Sequence, residues 1–225
     1  MNYIKNIFPI KLIAFISFSI LFFSCAKSTE QKSEVNALPY YDEATFTPHW
    51  FSADDSALND FHKISSFQLV NQEGESISEK TFDEKIYITD FFFTICPGIC
   101  PKMTKNMGVL QEEFLKDDEV LLLSHSVTPE MDSVSVLKKY AEEKGVISRK
   151  WHLATGTQED IYKLGRQDYF VEEDLGLTKE ADEFLHTENF VLIDKNQHIR
   201  GIYNGLNSAS VSQLIKDVKT LQMEK

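Results

Sequence analysis

Residues 85–101 read KIYITDFFFTICPGICP, an apolar and β-branched run that ends in two cysteines. So long a run without polar alternation predicts a strand buried on both faces, residues 85–93. The segment 94–101 follows at once and is expected to open a helix. Cysteines at the start of a helix meet unsatisfied amides and the positive end of the helix dipole, which favours the thiolate. Cys96 and Cys100 therefore stand in a reactive position. Their Cys-x-x-x-Cys spacing is one residue longer than the redox Cys-x-x-Cys motif. Two neighbouring sulfurs can form a disulfide or hold a soft metal as thiolates. Prolines beside both sulfurs and Gly98 between them argue against mere core filling.

Downstream, Met103, Met107, Leu110, Phe114 and Leu115 fall at helical spacing. Flexible methionine suits a helix–sheet core, so Met103 and Met107 are read as packing rather than as a thioether site. Residues 120–127 predict a second buried strand. The loop Thr128-Pro129-Glu130-Met131-Asp132 offers Asp132 as the N-cap of a helix over 134–144, which carries Val136, Leu137 and Tyr140 on one stripe and stops at Gly145. A strand at 151–155 follows, then a helix capped by Thr157 and running to about residue 164. An acidic insertion reaches residue 185 and is read as a solvated loop; over 171–188, Glu172, Glu173, Asp174, Glu180, Asp182, Glu183 and Glu188 are opposed only by Lys179. Strands 189–194 and 198–203 flank the turn 195–197, and 208–223 is an amphipathic final helix. Upstream, Ile64, Phe67 and Leu69, then Ile77 and Phe82, flank the turn signal NQEGE and predict a hairpin. This order predicts an α/β fold, a mixed central sheet flanked by helices, with an N-terminal hairpin and an insertion before the last strand pair.

The chain has 225 residues and a net charge of −12. One domain with a substantial core is the default at this length. The acidity and the absence of a basic cluster exclude a nucleic-acid binder. Three cysteines are too few for a disulfide scaffold, and the odd one is Cys25. It closes MNYIKNIFPIKLIAFISFSILFFSC, where Lys5 and Lys11 precede an apolar run over 12–23. Such a run spans about 18 Å as a helix against about 30 Å of hydrocarbon, which suits a secretory signal better than a permanent anchor. Leu21-Phe22-Phe23-Ser24-Cys25 resembles a bacterial lipobox, which makes Cys25 the lipidated first residue after removal of a signal peptide at 1–24. Cys25 as an incidental residue of an uncleaved anchor is the alternative, and both put the rest outside the cytoplasmic membrane. Loss of Lys5 and Lys11, with no acid, deepens the charge from −12 to −14. Residues 25–38 are then the lipidated cysteine and a flexible stalk, 39–60 an aromatic arm lying on the domain, and 61–225 the domain itself.

At the cysteine segment the sequence resembles the Sco/SenC family of copper chaperones, thioredoxin-like proteins of mitochondria and the bacterial envelope. The resemblance covers roughly 61–221. Thr94, Cys96, Pro97, Cys100 and Pro101 fit a T-x-C-P-x-x-C-P pattern, and Ser126-Val127-Thr128-Pro129-Glu130-Met131-Asp132 fits S-V-D-P-x-x-D. Trp151-His152-Leu153-Ala154-Thr155-Gly156 matches W-x-x-L-T-G imperfectly, and His186 stands at the late histidine. The resemblance implies a thioredoxin-like fold and copper binding by Cys96, Cys100 and His186, with Cu(I) on two thiolates and an imidazole. It also implies a metallochaperone, not an enzyme in the strict sense, that helps load the dinuclear copper centre of cytochrome c oxidase. The expected partner is the oxidase copper-centre subunit or another envelope copper protein, with the domain lipid-anchored and periplasmic. Thiolates select soft Cu(I), whereas structural zinc wants a fourth ligand that the cysteine count does not supply.

The alternative is a thioredoxin-like thiol:disulfide oxidoreductase, with Cys96 attacking a client and Cys100 resolving, or a redox sensor. Departures from the family pattern are Ile95 for a histidine, Gly98 for an aspartate and Thr128 for the aspartate of S-V-D-P. They remove polar groups that tune ligands without removing a ligand. Asp90, inside the apolar strand, either compensates or pairs with a polar group of the sheet. Among the other histidines, His49, His62 and His198 are expected at the surface, and His125 and His152 in the core.

Overall fold

In a computed structural model the described residues are 37–224, apart from 53 and 173–183. The strands are β1 (Gln68–Asn71), β2 (Ser76–Ser78), β3 (Ile86–Phe92), β4 (Val120–Ser126), β5 (Trp151–Thr155), β6 (Asn189–Ile193) and β7 (Ile199–Asn204). The helices are α1 (Cys100–Glu113), α2 (Val134–Lys144), α3 (Gln158–Lys163) and α4 (Ser208–Met223). One sheet joins the strands in the order β2-β1-β5-β4-β3-β6-β7. The apolar run is β3, and all of its residues are buried because it has a strand on either side and side chains packed on both faces.

Strands β3, β4 and β5 are parallel, and their helical crossovers step the same way across the sheet. Connections of one hand put α1 and α2 on the same face. There Ile86, Ile88 and Phe92 pack with Met103, Met107, Leu110, Leu137, Leu214 and Val218. Met103 and Met107 are fully buried, as their spacing suggested. The chain returns from β5 to the far side of β3, and α3 covers the other face with Tyr87, Phe91, Leu123, Ile161 and Leu164. Thr157 caps α3 by accepting from the Asp160 amide, and Gly145 ends α2 at φ 71°.

Because β6 runs antiparallel to β3, with Thr89 opposite Val191, the chain entering β6 lies at the edge where β3 ends. The parallel β4 ends there too, and the Val127 amide donates to the Phe92 carbonyl at 2.9 Å. Topology alone therefore gathers the segments after β3, after β4 and before β6 at one end of the sheet.

The arm lies at the other end, where β7 begins. Tyr40 and His49 bridge each other, and Tyr41 bridges Ile199. The buried Arg200 guanidinium ties this arm down. It donates to the Leu38 and Pro39 carbonyls and to Asp194 and Glu224, and sits 3.8 Å from the Tyr40 ring centre. The arm also corrects one expectation. His198 is buried, not at the surface, because Tyr40 and Phe61 roof it and its Nδ1 lies 2.8 Å from the His62 carbonyl. His49 and His62 are half-buried, against Asp42 and the Asp168 carbonyl respectively. His125 and His152 are core residues, as expected. No helix among the described residues is long and apolar enough to cross a membrane. The expected signal peptide, Cys25 and most of the stalk lie outside the described residues, as does most of the acidic insertion.

Candidate metal centre

After β3 the chain turns through 93–99 before α1 begins at Cys100. Only Cys100 therefore starts the helix; Cys96 precedes it, a correction to the expectation that both open it. Ile99 at the N-cap has no side-chain oxygen to offer, so the first amides lack a cap. They turn to sulfur instead. Burial opposes ionisation of Cys96, but the amides of Cys100, Gly98 and Ile99, with the Cys100 thiol, hold its thiol below the usual range. Cys100 is the opposite case, pushed up to about 12, chiefly by burial. Both cysteines are free, Cys96 half-exposed and Cys100 buried. A low thiol at the surface beside a high one beneath it is the arrangement of an attacking and a resolving sulfur. Two adjacent sulfurs are equally a soft donor pair.

The loop that carries Cys96 is fastened by Asp132. That carboxylate is fully buried and accepts from the Thr94 amide at 3.2 Å, the Thr94 hydroxyl at 2.5 Å, Ser126 at 2.6 Å and Thr128 at 3.1 Å. Asp132 is thus not the N-cap of α2. Ser133 takes that position without a side-chain cap bond, because the Asp132 oxygens are spent on the segments that follow β3 and β4. The Thr128 hydroxyl is one of the four donors, so this departure from the family pattern supplies a contact of its own. Ile95 points its side chain to solvent, 60% exposed. Asp90 lies in β3 on the face that α1 covers, where burial raises its carboxyl to about 7 against the hydrogen bond from Ser124. Trp151 donates to the same Ser124 hydroxyl at 2.8 Å, so Asp90 does pair with polar groups of the sheet. Its charge is also felt by the Cys100 thiol.

His186 lies just before β6, at the same end, with its side chain exposed. Two residues earlier, Phe184 sets its ring edge-on to Phe93 at 5.4 Å, so this segment adjoins the cysteine loop. Among the described residues no three His, Cys, Asp or Glu side chains approach closely enough to hold a metal. The structure thus brings Cys96 and Cys100 together and leaves the His186 imidazole outside the pair. The tie through Asp132 was missed because a loop aspartate before a helix reads as a cap. The turn at Leu164–Asp168, a single π-helical turn after α3, had no signal in the sequence at all.

The profile of the SCO1/SenC family matches residues 55–222. The chain is similar to a SCO1/SenC family lipoprotein from Bacillus anthracis str. Ames, at 31% identity and a TM-score of 0.63, with 72% of this chain and 95% of that one covered. It is also similar to BsSco, a member of the Sco family of cytochrome c oxidase assembly proteins in which a disulfide switch is identified; identity is 28%, the TM-score 0.61, and coverage 73% and 95%. ScoI of Bradyrhizobium japonicum, in a structure with copper bound, shares the fold at 24% identity and a TM-score of 0.55, with 70% and 98% covered. The fold is thioredoxin-like, as the resemblance implied. With the profile running from the end of the arm to the last helix, the chain belongs to the SCO1/SenC family.

Proposed function

We propose that this protein binds copper through Cys96, Cys100 and His186 and serves as a chaperone in assembly of the dinuclear copper centre of cytochrome c oxidase. The observation that carries it is the pair of free, interacting thiols where α1 begins, with Cys96 held low by backbone amides. Those amides favour the thiolate that a soft ion needs, and the half-exposed sulfur leaves a side open for transfer. His186 supplies the third ligand from the same end of the sheet by a movement of its side chain or segment. Kinship with BsSco, of a family named for cytochrome c oxidase assembly, supports the choice of client. Kinship with a lipoprotein supports a lipid on Cys25 and a domain held in the cell envelope.

The test is Cu(I) titration of the full chain in detergent. One ion bound tightly by the wild type, and weakly by Cys96→Ser and His186→Ala, is expected. Wild-type affinity in either variant contradicts the site. A second reading is favoured by the contrast between a low Cys96 and a Cys100 pushed up to about 12, which suits thiol exchange with a client disulfide. There Cys96→Ser abolishes reduction of the client and His186→Ala leaves it intact.

A further inference from the structure

The histidine segment is held by contacts that the copper reading does not itself require. From 184 to 187 the side chains alternate, Phe184 and His186 outward, Leu185 and Thr187 inward. Leu185 fills the space over Gly165, where a Cβ would stand 2.5 Å from its Cδ1. Thr187 donates to the Val171 carbonyl at 2.7 Å, and Asn189 donates to the same oxygen at 3.0 Å. These anchors fix the chain on both sides of His186, and the His186 amide between them is held by Glu172. Its Oε1 accepts the His186 amide at 3.4 Å, while its Oε2 accepts from Arg166 Nε at 2.9 Å. The carboxylate is mostly buried, and its partner Arg166 stands in the π turn Leu164–Asp168 with its guanidinium against the Tyr162 ring.

We infer that Glu172, held by Arg166, is a positioning residue for His186. It holds the backbone from which the His186 imidazole must reach the cysteine loop and so sets copper affinity, an inference that rests on His186 being a copper ligand. Groups that hydrogen-bond a ligating side chain change metal affinity by about 10–100-fold when removed, and a hold on the ligand's backbone is expected at the low end of that range.

Cu(I) affinity and the rate of Cys96 alkylation are measured together on the full chain in detergent, for wild type, Glu172→Ala, Glu172→Gln and His186→Ala. Glu172→Ala is expected to bind Cu(I) about tenfold more weakly. Glu172→Gln, which keeps an oxygen for the amide, recovers most of that loss. Alkylation of Cys96 stays at the wild-type rate in both. Wild-type affinity in Glu172→Ala, with His186→Ala weakened, overturns the positioning role while sparing the copper site. An affinity loss matched by an equal fall in Cys96 alkylation also overturns it, because the damage is then general. Wild-type affinity in His186→Ala removes the copper reading itself.

Discussion

The cysteine loop and the histidine segment meet at one end of the sheet but are secured in different ways. The loop is fastened by a buried carboxylate with four donors drawn from two segments, one after β3 and one at the end of β4. Among the described residues the histidine segment is held by the Val171 carbonyl, the seat of Leu185 over Gly165 and the Glu172 carboxylate, all at or beyond the end of α3, and by the edge of Phe184 on Phe93. A site made from both has a fixed half and an adjustable half. That division fits the proposed uptake and release of copper.

Within the fixed half lies the largest expected effect. Cys96 should be alkylated at pH 7 about a hundredfold faster than Cys100 or more, because only the thiolate reacts and Cys100 is pushed up to about 12. Mass spectrometry of singly labelled protein reads the ratio, and equal labelling would dissolve the contrast between the two sulfurs. Next, Asp132→Ala should cost on the order of 3 kcal/mol in denaturant unfolding and slow Cys96 alkylation, because it orphans buried donors and frees the loop. An unchanged midpoint would mean that the loop is not held there. On the adjustable half, Gly165→Ala must displace Leu185 and is expected to cost about 1–3 kcal/mol. It should weaken copper binding with Cys96 alkylation untouched; slowed alkylation would join the two halves into one unit.

The smallest effect concerns the layer that carries the histidine segment. His125 is stacked on Phe91 at 4.6 Å, its Nε2 has no hydrogen-bond partner among the described residues, and burial lowers its pKa from 6.5 to about 3. The folded state then keeps it neutral while the unfolded chain protonates it. Its contribution is intact above about pH 6.5 and drains away as the pH falls toward 3, by about 1 kcal/mol at pH 5.5. His125→Phe should abolish that acid loss, seen as a smaller drop in melting temperature between pH 8 and 5.5. An identical drop in both proteins would show that His125 does not titrate with folding.

Much of this was legible before any coordinates. The run 85–93 announced a doubly buried strand because nothing polar but Asp90 interrupts it, and the alternation of elements implied the mixed sheet. The cysteines stood out by type, spacing and their place after that strand. What stayed hidden depends on segments distant in sequence. Asp132 reads as a cap until Thr94, 38 residues away, is seen to donate to it. His198 reads as a turn neighbour until the arm is laid over it. Glu172 reads as one more acid of a solvated stretch until Arg166 and the His186 amide are found on its two oxygens. Periodicity reports faces of single elements; it says nothing of which loops share a carboxylate.

One copper ion is expected to take sulfur from the cysteine loop and nitrogen from the histidine segment. X-ray absorption at the copper edge of the Cu(I)-loaded full chain reads both donors at once. Two sulfur neighbours and one imidazole nitrogen are expected, with the nitrogen lost in His186→Ala and the sulfurs kept. A coordination shell that is the same in the wild type and His186→Ala would contradict it.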